Sequence, residues 1–285
     1  MPIDPATSTL IDLALAEDIG TGDLTAAYFV SGEARSVGRI AARQPGVLAG
    51  SDIAAEVFRR VDPVLKIERL REDGAALQPG DACLEVSGAS RSILTAERTA
   101  LNFLQRLSGV ATLARRFADA VAGTGAAILD TRKTTPGWRR LEKAAAVAGG
   151  AANHRMGLYD AAMVKDNHLA AEDRLAALQD AIDRLRADRP DAWVEVEADT
   201  LDQVRAFLTL RGVRAILLDN MPPPMLREAV ALNEAAGKPV ALEASGGVNL
   251  ATVRAIAESG VDFISVGAIT HSAPALDLGM DFIAA

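Results

Sequence analysis

Trp193 to Asn220 reads WVEVEADTLDQVRAFLTLRGVRAILLDN, and this stretch decides the fold class. WVEVE is a short apolar run with alternating glutamates, LDQVRAFLTLRG has helical spacing, and RAILLD is a second apolar run. Two apolar strands joined by a helix of this length form a βαβ unit, whose strands run parallel because the helix carries the chain back to the starting edge. The pattern repeats outward. AAILD, AAMVKD, VALEAS and DFISVG supply four more strands, and EDRLAALQDAIDRLRAD, PPMLREAVALNEAAG and NLATVRAIAESG supply helices between them. Parallel strands covered on both faces by helices read as near-continuous apolar runs, as these do. Six strands are legible in this way.

The strand ends carry the chemistry. Asp130, Lys165 with Asp166, Glu195 and Glu197, Asp219 with Asn220, Glu243 with Ser245, and Gly267 all close one of these runs. Polar residues gathered at the C-terminal ends of successive parallel strands are the arrangement of an α/β-barrel active face. Period-two alternation puts Glu195 and Glu197 on the same side of their strand. SGGVN (Ser245 to Asn249) and SVGAIT (Ser265 to Thr270) each follow a strand and precede a helix, so their backbone N–H groups are expected to receive a phosphate.

Before residue 110 the character differs. A helix from Thr9 to Asp18, with Ser8 or Thr9 as N-cap, leads into the runs SVGRIAAR, GVLAG, LKIERL and ACLEVSG, separated by Gly- and Pro-containing turns. This reads as a small antiparallel α+β unit. Thr95 then caps AERTALNFLQRL, Ser108-Gly109 interrupts it, and VATLARRFADAVAG resumes, as a bridge between domains.

Composition excludes several classes. A chain of 285 residues that is 49% apolar can bury a large core. With 30 Lys+Arg against 38 Asp+Glu, a net charge of -8, and no helix carrying a basic face, nucleic acid is not an expected partner. The start lacks a signal-peptide pattern and no stretch approaches ~18 uninterrupted apolar residues, so a cytoplasmic protein without membrane attachment is expected. Cys83, the single cysteine, lies in a strand-like run and reads as a buried thiol. Against the acidic background, DTRKTTPG and NHRMGLYDAAMVKDNH gather Arg132, Lys133, His154, Arg155, Lys165 and His168. Such a local inversion points to a small, highly anionic ligand.

Eight strings in collinear order carry a resemblance: EDIGTGDLT (17–25), ERTALNFLQRLSGVAT (97–112), DTRKTTPG (130–137), NHRMGLYD (153–160), VKDNH (164–168), LLDN (217–220), LEASGGV (242–248) and VGAITHS (266–272). Together they resemble quinolinate phosphoribosyltransferase, of the type II phosphoribosyltransferase family. The resemblance implies an N-terminal α+β open sandwich with the bridging helix over 1–110, an incomplete, TIM-like α/β barrel of about six to seven parallel strands over 111–272, and a C-terminal helix over 273–285 packing back on the first domain. It implies transfer of a phosphoribosyl group from phosphoribosyl pyrophosphate to quinolinate with decarboxylation, in NAD biosynthesis, with Mg2+ as cofactor. Arg98, Arg132, Lys133, His154, Arg155 and Lys165 match the cationic set for the quinolinate carboxylates and the pyrophosphate, with Arg132, His154 and Arg155 leading. Arg98 would enter a neighbouring subunit's site, which makes a homodimer or higher even oligomer the catalytic unit. Glu197 and Asp219 match the acidic pair facing ribose hydroxyls and Mg2+, directly or through water or substrate, and Lys133, Lys165, Glu197 and Asp219 form the catalytic set. Ser245, Gly246, Gly247 and Gly267 would receive the 5′-phosphate; His168 and His271 are assigned capping or supporting roles. Ala148 to Ala151 depart from the family's Cys-Gly-Gly-Gly without removing a charge. Three other readings are a barrel lyase with Lys165 as Schiff base, a molybdenum-transport-associated relative, and a non-catalytic binding protein.

Overall fold

The computed structural model describes residues 3–165 and 174–283. The chain divides into two compact units, one of Met1–Arg115, Thr134–Gly150 and Ile269–Ala285, the other of Arg116–Lys133 and Ala151–Ala268. The division expected near residue 110 therefore falls a few residues later, and two segments expected in the barrel belong to the first unit.

The first unit opens with α1 (Pro5–Ile19), four residues earlier than expected. The reason is local. Asp4 accepts from the N–H groups of Ala6 and Thr7 at 3.1 and 3.3 Å, and Pro5 occupies the first helical position, where its missing N–H costs nothing. A short helix, α2 (Leu24–Phe29), is capped by Asp23. Strands β1 (Arg35–Ala42), β2 (Gly46–Val47), β3 (Lys66–Arg69), β4 (Ala76–Leu77) and β5 (Ala82–Ala89) follow, with helix α3 (Ser51–Val61) between β2 and β3. The C-terminal segment is not a helix. Leu278–Ile283 forms the sixth strand of this unit and pairs antiparallel with β1, giving the order in which it flanks β1, then β5, then β3. Its alternation of large residues with Gly279 and Asp281 has the period of a strand.

Helix α4 (Ser90–Ala120) is unbroken, against the interruption expected at Ser108-Gly109. Both residues serve packing. Buried Ser108 accepts from the Ala49 N–H at 3.0 Å, and a Cβ on Gly109 would lie 2.0 Å from the Pro274 carbonyl oxygen. Cys83 is buried and donates to the Ile40 carbonyl at 3.2 Å; burial pushes its thiol up to about 11, so it is inert as a nucleophile. A buried carboxylate, Glu142 on α5 (Arg139–Ala148), accepts from Arg106 Nη2 at 2.7 Å and from the Thr135 N–H and hydroxyl at 3.0 and 2.8 Å. Arg106 also donates to the carbonyls of Ala273 and Thr270.

The second unit is built on six parallel strands: β6 (Ala127–Leu129), β7 (Ala161–Val164), β8 (Trp193–Ala198), β9 (Ala215–Asp219), β10 (Ala241–Ser245) and β11 (Phe263–Ser265). Their order is β6-β11-β10-β9-β8-β7, a barrel sequence left open between its first two strands. This is the α/β fold with a parallel six-stranded sheet that the sequence calls for. Helices α6 (Arg174–Asp188), α7 (Leu201–Phe207) and α8 (Pro223–Ala235) connect successive strands, with the five-residue α9 (Val253–Ala257) before β11 and the four-residue α10 (Ala268–His271) after it. Within the opening stretch, α7 starts at a capping box: Thr200 accepts from the Gln203 N–H while the Gln203 side chain accepts from the Thr200 N–H.

Register fixes which side chains share a face. Glu197 lies opposite Leu217, which lies opposite Glu243; two residues on, Asp219 lies opposite Ser245. The alternate residues Val194, Val196, Ile216, Leu218, Leu242, Ala244 and Ile264 are buried on the other face. Period two thus separates an apolar face from a polar one.

Candidate active site

The polar face opens on a cavity of about 280 Å3. Its walls come wholly from the second unit: Met163 and Lys165 at the end of β7, Glu197, Leu217 and Asp219 from the next two strands, Glu243, Ser245 and Ser265 from the last two, and Thr131, Arg132, Lys133, His154 and Arg155 from loops. Eight of the expected residues therefore meet in one place: Arg132, Lys133, His154, Arg155, Lys165, Glu197, Asp219 and Ser245.

Two guanidiniums are held close despite repulsion. Burial, then the positive charge of Arg132, lowers the Arg155 pKa below the ordinary arginine value. Arg155 is fixed by donation to the Ala161 carbonyl at 3.0 Å. Its loop is shaped by Asp160, which accepts from the N–H groups of Met156 and Gly157 at 2.6 and 2.9 Å. Like charges preorganised in a partly buried wall gain most from an anion with two or more carboxylate or phosphate oxygens.

Beneath the guanidiniums lies a buried triad. His154 Nε2 is 3.1 Å from Glu195 Oε2 and 3.4 Å from Glu243 Oε2, and the three side chains are at most 6% exposed. The imidazole also sits 5.6 Å, centroid to centroid, from the Trp193 ring, and Asp130 accepts from the His154 N–H at 2.9 Å. Burial alone would depress the histidine, but the hydrogen bonds and charges of the two carboxylates outweigh it and raise its pKa to about 9. The Arg155 N–H, 2.7 Å from Nδ1, pulls the other way because it needs a lone pair there. A carboxylate at this range is worth ~4 kcal/mol at an effective dielectric of about 20, against ~1 kcal/mol for one amide hydrogen bond, so the carboxylates set the direction.

A pH dependence follows. A folded pKa raised from 6.5 to about 9 gives stability that is complete below about pH 6.5 and lost as pH rises through about 9. Urea unfolding at pH 6 and pH 9 should show this loss in the wild type and a smaller loss in Glu243→Gln; equal losses in both would refute it.

On the far wall Lys165 Nζ donates to Glu197 Oε2 at 2.6 Å. An amine committed to a carboxylate is a poor carbonyl nucleophile, which weighs against the Schiff-base reading. Glu197, Asp199 and Asp219 each place a carboxylate oxygen within 4.8 Å of the others. That donor set is all oxygen, anionic and partly exposed, which fits a Mg2+ ion that keeps several waters. Asp199 is an addition to the expected pair. It lies two residues beyond Glu197, so the alternation WVEVEAD contained the signal.

Other expectations divide. Gly246, Gly247 and Gly267 do not line the cavity, although Gly246 and Gly247 adopt positive φ of 96° and 61° immediately after the lining residue Ser245. Arg98 is exposed on α4 in the first unit. His271 pairs with the Ser272 hydroxyl at 2.6 Å and is not among the lining residues. His168 lies outside the described residues. Glu197, expected at the site, lines the cavity and Glu195 does not; Glu243, expected only as a strand-end residue, lines it, and its convergence with Glu195 on His154 has no signal in the sequence.

The chain is similar to known proteins over nearly its whole length. The family profile for the quinolinate phosphoribosyl transferase N-terminal domain matches residues 23–108, and that for the C-terminal domain matches residues 110–281. A carboxylating nicotinate-nucleotide pyrophosphorylase of Mycobacterium leprae (strain TN) is 43% identical over 284 residues, covering 98% of this chain and 97% of the relative. A chloroplastic protein of that name from Arabidopsis thaliana is 42% identical, covering 95% and 81%. Among solved structures, the nicotinate-nucleotide pyrophosphorylase of Francisella tularensis superposes with a TM-score of 0.91 at 35% identity, covering 99% and 98% of the two chains.

Proposed function

The chain belongs to the quinolinate phosphoribosyltransferase family, and on that premise we propose that it is an enzyme of NAD biosynthesis that converts quinolinate and phosphoribosyl pyrophosphate to nicotinate mononucleotide, pyrophosphate and CO2. The observation that carries the reading is the cavity itself, where Arg132, Lys133, Arg155 and Lys165 face Glu197 and Asp219 at adjacent strand ends. A dicarboxylate and a pyrophosphorylated sugar together present dense negative charge, and this wall supplies its complement. Neither the lyase nor the molybdenum-transport reading is favoured by relatives at this identity.

Arg132 and Arg155 bind the quinolinate carboxylates and aim the ring nitrogen at the ribose anomeric carbon, with His154 and its carboxylates holding that wall in place. Lys133 and Lys165 face the pyrophosphate, where they oppose the charge that builds on the leaving group. Glu197 and Asp219 face the ribose, positioned to accept from its hydroxyls and to stabilise positive charge at the anomeric carbon. Ser245, Gly246, Gly247 and Gly267 receive the 5′-phosphate. Once the nitrogen is ribosylated it is cationic, and the electron pair left when the adjacent carboxylate departs as CO2 is stabilised by that charge until a proton from solvent takes the carboxylate's place on the ring carbon. Orientation and electrostatics do this work without a covalent nucleophile. Glu197, Asp219 and Asp199 would hold Mg2+, which supplies countercharge to the pyrophosphate.

The same reading makes the catalytic unit a homodimer. Arg98 is exposed in the first unit, as are Tyr28 and Phe29 at 80% and 86%, an unusual display of aromatic surface that a second copy would cover. Sedimentation should give a particle of two chains or a higher even number; an active monomer would contradict it. A cytoplasmic location belongs to this proposal, supported by the acidic charge balance and the single, buried thiol. The reaction is tested by product analysis: one CO2 and one pyrophosphate should appear per quinolinate consumed, whereas a binding protein would release neither.

A further inference from the structure

Asn220 is one of two non-glycine residues with positive φ among the described residues, at 53°. Left-handed backbone is disfavoured for residues with a Cβ, and where it persists at a strand end beside a site it asks for an explanation. Three contacts supply it. The Asn220 N–H donates to the Ser245 carbonyl at 2.8 Å. Its side-chain Nδ2 donates to Asp219 Oδ2 at 2.7 Å. Its Oδ1 lies so near Gly246 that a Cβ there would be 2.1 Å from Oδ1 and 3.0 Å from the Asn220 backbone nitrogen. The amide orientation is chemically forced, because the reverse would set an oxygen against the Asp219 carboxylate.

Asp219 and Ser245 are register partners on neighbouring strands and both line the cavity. Asn220 thus touches both the carboxylate at the end of β9 and the glycine turn at the end of β10. We propose that Asn220 is a positioning residue that ties the orientation of Asp219 to the conformation of the Ser245–Gly247 turn, so that the ribose hydroxyls and the 5′-phosphate of one donor are gripped at a fixed spacing. The inference rests on the roles given above to Asp219 and to that turn. Asn suits the position because it tolerates left-handed backbone and carries a donor short enough to reach the preceding carboxylate. Gly246 suits its position because any side chain would displace the Asn220 amide.

Ribose 5-phosphate tests the coupling, since it carries the hydroxyls and the 5′-phosphate without the pyrophosphate. Asn220→Gly keeps the backbone conformation and deletes the amide; Asn220→Asp keeps the shape and replaces the donor with an oxygen that repels Asp219. In isothermal titration of the full chain, both variants should bind ribose 5-phosphate about tenfold more weakly, Asn220→Asp the weaker, as expected for losing a hydrogen bond to a charged group. Quinolinate affinity should stay within about twofold and the melting temperature should hold. Ribose 5-phosphate affinity within about twofold of wild type in both variants would overturn the proposal, as would an equal fall in quinolinate affinity. If the variants show this pattern while the wild type does not turn over quinolinate, the proposed reaction is refuted and the coupling stands.

Discussion

Arg132→Ala is expected to abolish turnover, lowering kcat/KM for quinolinate by about a thousandfold, the equivalent of ~4 kcal/mol of transition-state stabilisation. The reason lies in the enforced pairing with Arg155, whose pKa is lowered by burial and by the Arg132 charge. Two cations share one wall at a cost that the charges of Glu195 and Asp160 offset in part and a bound anion offsets further. Removing one relieves repulsion in the free protein and leaves a substrate carboxylate without its partner in a half-buried wall. The loss should appear as weakened binding: calorimetric titration of quinolinate should lose its signal at concentrations that saturate the wild type. Near-normal quinolinate affinity in the variant would refute the assignment.

Glu142→Ala should have the largest effect on stability, about 3 kcal/mol, at the low end for breaking a buried ion pair. Glu142 is fully buried and satisfies four donor groups, two from Arg106 and two from Thr135. Its loss strands those donors together. Arg106 moderates the damage, because its side chain is 26% exposed and retains the Ala273 and Thr270 carbonyls. Chemical denaturation should show a lower midpoint for Glu142→Ala and a partial recovery for Glu142→Gln, which keeps a carbonyl acceptor. An unchanged midpoint would show that the node contributes nothing to stability.

The barrel strands were legible because each is a dense apolar run ended by a polar residue, and burial on both faces leaves no other pattern. The polar face was legible too, since period two puts Glu195 on the same side of its strand as Glu197. Long-range geometry was not legible. Gly109 looked like a break in α4, yet it is required there by the approach of the Pro274 carbonyl. The pairing of the C-terminal LGMDFI has no local mark, because its partner, β1, lies some 240 residues away and local propensity cannot register such a contact. The cations of DTRKTTPG and NHRMGLYD stood out against an acidic chain, whereas the burial of Glu195 and Glu243 under His154 depends on strand register. Asn220 stands within the LLDN motif, but its left-handed backbone has no signature in the sequence beyond the residue type.

The most direct test of the central claim is the absorbance of quinolinate in the presence of the purified protein, Mg2+ and phosphoribosyl pyrophosphate. Absorbance should fall steadily in the complete mixture and stay constant when phosphoribosyl pyrophosphate or Mg2+ is omitted. No fall in the complete mixture, or an equal fall without the phosphoribosyl donor, would contradict the account.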